Sequence, residues 1–196
     1  IASNLNIGVR HILPTLPFIY ILTAGALKKW FSRGSGFYKF ALKPSVLAVF
    51  IVWYSFENLS NPPFYLSYFN QLGGGQKEGY KYVTDSNYDW GQDLKRLVDF
   101  VEGRRITKIA VDYFGGGEPK YYLGDKAEYW WSAKGNPRDF GIEWLAVSVN
   151  TLQGAFSAAD PDLERKSEDE YRWLKDLRDP YKPDYRAGTS IFIYKL

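Results

Sequence analysis

The sequence predicts an α/β protein in two parts: an N-terminal transmembrane helical hairpin, then a small extracytoplasmic α/β domain with a mixed sheet and flanking helices. Three observations carry this reading. The first fifty-odd of the 196 residues hold nearly all the long apolar runs. Residues 89–103 repeat apolar side chains at helical spacing, and Ile109, Val111 and Tyr113 then alternate as a strand does. At 45% hydrophobic and 24% charged, with a net charge of +3, the chain is no disordered tail. The absence of cysteine excludes a disulfide scaffold, thiol catalysis and Cys-ligated metal. Without any methionine, a chain opening on Ile1 reads as a piece of something longer. Its 25 basic and 22 acidic side chains are too evenly balanced for a nucleic-acid footprint. An aromatic content of 18%, with 7 Trp and 16 Tyr, points instead to a membrane interface or to carbohydrate.

Residues 1–60 carry two expected transmembrane helices, at about 12–31 and 37–56. The run ILPTLPFIYILTAGAL bears no charge, and Trp30 and Phe31 extend it to membrane length if Lys28 and Lys29 snorkel. The second run has the uncharged core VLAVFIVWYSF, with Trp53 and Tyr54 placed as an interfacial belt. Pro14, Pro17 and Pro44 weaken both helices, so a hairpin buried in a soluble protein, purifying without detergent, is the competing reading. The connecting loop holds Lys28, Lys29, Arg33, Lys39 and Lys43 and no acid, which assigns it to the cytoplasm. The chain is then a multi-pass protein of the cell membrane, and residues after about 57 are extracytoplasmic.

Residues 61–80 read as a linker along the membrane surface and 81–196 as the α/β domain. Residues 81–84 form a short strand candidate. A helix over 89–103 has Asp89 and Gln92 as a capping box, Leu94, Leu97, Val98 and Val101 as its apolar stripe, and Gly103 as its stop. A strand follows and ends at Gly115, Gly116 and Gly117; 144–149 and 190–196 give two more. Ser167 and Glu170 form a second capping box ahead of a helix with Tyr171, Leu174 and Leu177.

The densest polar cluster is DSNYDWGQD at 85–93. Its candidate sugar-contacting residues are Asp85, Asn87, Asp89, Trp90, Gln92 and Asp93. Three carboxylates repel phosphate, and neither a GxGxxG nor a Walker spacing supplies an amide cradle. Carboxylates and amides beside an indole face suit a hydroxyl-rich ring or a cation. The plainer reading has Asp85 and Asn87 in Asx-turns, Asp89 capping the helix and Trp90 packed beneath the loop. Arg10 and His11 precede the first apolar helix, where a guanidinium can hold a lipid phosphate bidentately, or simply anchor at the interface. A single histidine supports no His-based metal site, and there is no GxSxG. Both triple-glycine runs, 73–75 and 115–117, read as turns or as places for a ligand to approach the backbone.

The run NIGVRHILPTLPFIYIL, followed by FYLSYFNQLGGGQKEGYKYVTDSNYDWGQDLKRL, resembles the C-terminal part of the bacterial family 39 glycosyltransferases. These are multi-spanning GT-C proteins related to the protein mannosyltransferases. The resemblance covers residues 4–97 well and the later strands loosely; Tyr88 stands where Leu or Ile is more usual. It implies an integral-membrane enzyme transferring a sugar from a polyprenyl-phosphate donor to a glycan, lipid or protein acceptor outside the membrane, with a divalent metal as a possible cofactor. The family's catalytic acids lie upstream of residues like these, so it carries over no catalytic residue, only Arg10 and His11 toward the lipid phosphate. The alternative is a membrane-anchored module that binds glycan through Trp90, Trp130, Trp131 and the 85–93 loop without turning it over.

Overall fold

The computed structural model describes residues 12–83, 85–156 and 171–196, and the chain divides into two units, Ile1–Tyr65 and Leu66–Leu196. Arg10, His11, Thr84, Ser167 and Glu170 lie outside the described residues.

In the first unit, α1 spans Leu16–Ser32 and α2 spans Lys43–Ser60, entered through a π-helical turn at Tyr38–Leu42. Pro17 sits in the first turn of α1, where the missing N–H has no partner to lose. Pro44 directly follows the π-helical turn, and the helical backbone runs through it. The 17 residues of α1 rise about 25 Å, short of the ~30 Å hydrocarbon core. The 21 residues Phe40–Ser60 rise about 31 Å, so one helix among the described residues is long and apolar enough to cross a membrane. Its large apolar side chains, Phe50, Val52, Trp53 and Phe56 among them, are exposed all round, as they are on α1 at Phe18, Ile21 and Leu22. Lys43 departs from the expected cytoplasmic loop: it is buried, and its ammonium donates to the carbonyls of Trp30 and Arg33 at the end of α1 while lying 5.0 Å from the centre of the Tyr38 ring. A lysine from the next helix thus adds a donor to the Trp30 carbonyl, which also accepts from Arg33 N–H, and supplies one to the Arg33 carbonyl just beyond α1.

The second unit is built on five strands: β1 (Ile109–Asp112), β2 (Ala127–Tyr129), β3 (Trp144–Ser148), β4 (Tyr185–Ala187) and β5 (Ile191–Lys195). They lie in the order β2-β1-β3-β5-β4, with β1 parallel to β2 and β3, and β5 antiparallel to both its neighbours. Strand alternation sorts two cores. Ile109, Val111, Ala146, Ile191 and Ile193 face one side, under Leu94, Leu97 and Val101 of α3 (Leu94–Gly103) and Leu123 of α4 (Pro119–Leu123). Ala110, Leu145, Val147, Phe192 and Tyr194 face the other. There they meet Val149 and Leu152 of α5 (Val149–Phe156), Leu174 of α6 (Arg172–Leu177), and Tyr80 and Tyr88.

Three expectations change. Residues 81–83 are not in a strand: a 3-10 turn at Gly79–Lys81 drops Tyr80 into the core. The stretch from Leu66 to Tyr80 belongs to this unit, and Ser67 Oγ and Thr189 Oγ1 are hydrogen-bonded at 2.8 Å. The first helix starts at Leu94, with Asp93 at its N-cap and no capping box. It is stopped not by Gly103 but by Arg105, held at φ +53, whose N–H bonds to the Glu102 carbonyl while that of Ile106 bonds to Val101. This is a Schellman cap with arginine in the left-handed position that glycine normally takes.

Candidate functional site

β1 and β3 end side by side, and their carboxyl edge collects the chemistry. Phe114 N–H donates to Ser148 Oγ at 2.9 Å, tying the two strand ends together. The 85–93 loop packs on this edge through three links: Asn150 Oδ1 accepts from Asp85 N (2.9 Å), Tyr113 OH donates to the Gly91 carbonyl (2.7 Å), and Asp93 Oδ2 accepts from Thr189 N (2.7 Å). Loops at this end of an open sheet are where α/β proteins present ligands. Among the described residues no strand precedes the loop, and these links hold it in place.

Glycine makes the close packing possible. A Cβ at Gly91, where φ is +75, would lie 2.1 Å from the Tyr113 hydroxyl, and one at Gly115 would lie 2.7 Å from the Gly91 Cα. The 115–117 run is therefore where two backbones cross.

The six loop residues separate by burial. Asp93 is wholly buried: Oδ2 accepts from the amides of Thr189 and Ser190 and from Thr189 Oγ1, and Oδ1 accepts from Arg96 at 2.5 Å. It clamps the β4–β5 turn and cannot touch a ligand. Asp89 is 1% exposed and is not a helix cap; its Oδ1 accepts from Gly91 N at 2.8 Å. Its Oδ2 faces Ser190 Oγ closely enough for the hydroxyl to favour the ionised form, but outside hydrogen-bond geometry, so both atoms are buried without a partner. Burial pushes the Asp89 carboxyl up to about 6, against the Gly91 and Ser190 hydrogens and with some help from the Asp93 charge. Both carboxylates leave the set of sugar contacts.

Asp85, Asn87, Trp90 and Gln92 border solvent. Asp85 stands at φ +53, a left-handed conformation that aspartate tolerates, and its carbonyl accepts from Tyr88 N and Asp89 N. Gln92 Oε1 accepts from Trp90 N at 2.7 Å, and its amide donates to the Tyr88 carbonyl. Trp90 is the departure that matters: it does not pack beneath the loop but is 58% exposed, with Nε1 donating to the Ser86 carbonyl at 2.7 Å. An indole fixed through its own N–H, yet open to solvent, is a stacking platform. Of the other tryptophans proposed for glycan, Trp130 is buried with Nε1 on the Gly135 carbonyl, and Trp131, just beyond β2, is exposed.

Sequence reasoning missed Asp112, the last residue of β1. Its Oδ2 accepts from Tyr171 OH at 2.5 Å and Oδ1 from Thr151 Oγ1 at 3.4 Å. Burial raises this carboxyl, the two hydroxyls opposing it, and burial raises the Tyr171 phenol well above its ordinary range. The available signal was an acid closing an apolar strand three residues before the 115–117 glycines. Among the described residues no three His, Cys, Asp or Glu side chains converge to hold a metal ion. Compared with known protein families, with curated proteins and with solved structures, the chain matches none.

Proposed function

We propose that the chain is part of a multi-pass membrane glycosyltransferase that moves a sugar from a polyprenyl-phosphate donor to an extracytoplasmic acceptor, and that its carboxyl-edge loop holds a sugar ring. The observation that carries the sugar-binding role is Trp90, exposed and tethered beside Asp85 and Gln92. The transferase reading rests on the NIGVRHILP and DSNYDWGQDLKRL phrases and is supported by the membrane-length helix Phe40–Ser60. Arg10 and His11 remain its candidates for the donor's lipid phosphate. A binding module without turnover is the second reading, favoured by the structural duties of Asp89 and Asp93, which leave the loop no accessible acid pair.

The Trp90→Ala variant of the full chain should keep its melting temperature, since an exposed ring costs roughly 0.5 kcal/mol or less, and lose about tenfold in glycan affinity measured by calorimetry. Unchanged affinity would remove the loop from the function. Sugar transfer from a polyprenyl-phosphate donor by the full-length protein separates enzyme from module. Topology has its own test, because the chain has no cysteine of its own. Cysteines at the exposed positions Ser35 and Asp125 should react with an impermeant reagent from opposite sides of the membrane in intact cells. Equal labelling would end the hairpin. Ser132 is unsuitable as a probe, being buried and bonded to Tyr171 N.

A further inference from the structure

The opposite edge of the sheet holds a cleft of about 390 Å³, between the end of α3 and the start of β3. This is within the size range of small-ligand sites. Its wall includes Arg104, Arg105 and Lys108, against the single carboxylate of Glu143, with the Trp144 indole on one side. We propose that this cleft binds a phosphate-bearing ligand, with Arg104 and Arg105 as the principal contacts. The proposal is independent of the sugar-binding reading of the carboxyl edge.

Three features support it. Arg104 lies over two rings, its guanidinium carbon 3.9 Å from the centre of the Tyr185 ring and 5.0 Å from that of Phe100. A guanidinium held by ring faces keeps its N–H groups for a bidentate oxyanion. Among the described residues neither Arg104 nor Arg105 donates a side-chain hydrogen bond or pairs with an acid, and Lys108 approaches Glu128 only to 4.0 Å.

Second, Arg105 occupies a conformation that costs an L-residue free energy, at the cap position where glycine is the cheapest choice. Backbone strain of this kind concentrates at functional positions. Third, the alternative duty of such cations, complementing the negative end of a helix dipole, reaches only the last turn. It accounts for Arg104 and Arg105 beside Gly103 but not for Lys108 beyond the buried Ile106, nor for a cleft formed between them and Trp144.

The test uses the full chain in a maltoside detergent, titrated with glycerol 3-phosphate by calorimetry. Saturable one-to-one binding that weakens with added salt is expected. Arg105→Gly relieves the left-handed strain, so this variant should melt no lower than wild type while binding about tenfold more weakly. Arg104→Gln should weaken binding similarly, and Glu143→Gln should strengthen it. The source of the phosphate is then resolved in lipid nanodiscs. If phosphatidylglycerol, added to phosphatidylcholine discs, competes with glycerol 3-phosphate, the ligand is a lipid headgroup; if titrations in the two discs coincide, it is a soluble phosphate ester. Absence of saturable binding in detergent, or binding that Arg105→Gly and Arg104→Gln leave unchanged, would overturn the proposal.

Discussion

Replacing Asp93 by alanine is expected to cost about 3–5 kcal/mol of folding stability, from leaving two buried amides unpaired at roughly 1–3 kcal/mol each. The carboxylate does two jobs with no solvent to replace it. Oδ2 collects the amides of Thr189 (2.7 Å) and Ser190 (2.8 Å), and Oδ1 holds Arg96. Alanine would strand two buried N–H donors and free a partly buried guanidinium. The fit has no slack, since Gly188, at φ +61, lies so near that a Cβ there would stand 2.1 Å from the carboxylate. Chemical denaturation followed by circular dichroism measures the loss; Asp93→Asn, which keeps the acceptor but not the charge, should fall between. A cost under about 1 kcal/mol would mean that the β4–β5 turn holds itself.

Asp89→Asn should act in the opposite direction, and only above acid pH. In the folded protein this carboxyl titrates near 6, against an ordinary value of 3.8. A raised acid favours folding while protonated: that contribution is complete below the unfolded value and is lost as pH climbs through about 6. A rise from 3.8 to about 6 corresponds to roughly 3 kcal/mol. Oδ2 is buried and makes no hydrogen bond, so ionising it leaves charge on an atom with nothing to compensate it. Asparagine keeps the Oδ1 acceptor for Gly91 N and places a permanent donor where the proton sat. Wild type and variant should therefore match near pH 3 and diverge to about 3 kcal/mol by pH 8, the variant being the more stable. Denaturation midpoints across that range decide it; parallel curves would show that the carboxyl ionises normally.

The longer periodic elements were legible in the sequence. The apolar stripe at Leu94, Leu97 and Val101 gave α3, and alternation at Ile109 and Val111, at 144–149 and at 190–196 gave β1, β3 and β5. β2 and β4 were not legible because three residues complete too little of a period to stand out. Only the start of α3 was misplaced: Asp89, the expected cap, is held inside the domain, and the helix begins at Leu94. Its last residue is Gly103 as expected, although the left-handed residue that closes it is Arg105. The loop at 85–93 stood out by composition alone. Composition could not say which of its side chains face water, since that depends on Asn150, Tyr113 and Thr189, up to about a hundred residues away along the chain.

The strand order also governs when this domain can exist during synthesis. β5, the last of the five described strands, is not at an edge of the sheet but between β3 and β4. Until its residues leave the ribosome, β3 has an unpaired side, and Leu145 and Val147 lack Tyr194 and Phe192 across from them. A nascent chain in that state carries an open apolar strand edge, the kind of surface that pairs with other chains. Contacts of such long sequence separation also form slowly, because the loop between them must close first. A ribosome stalled shortly before residue 191 would hold an adhesive intermediate, whereas one that has released residue 195 holds a sheet able to close.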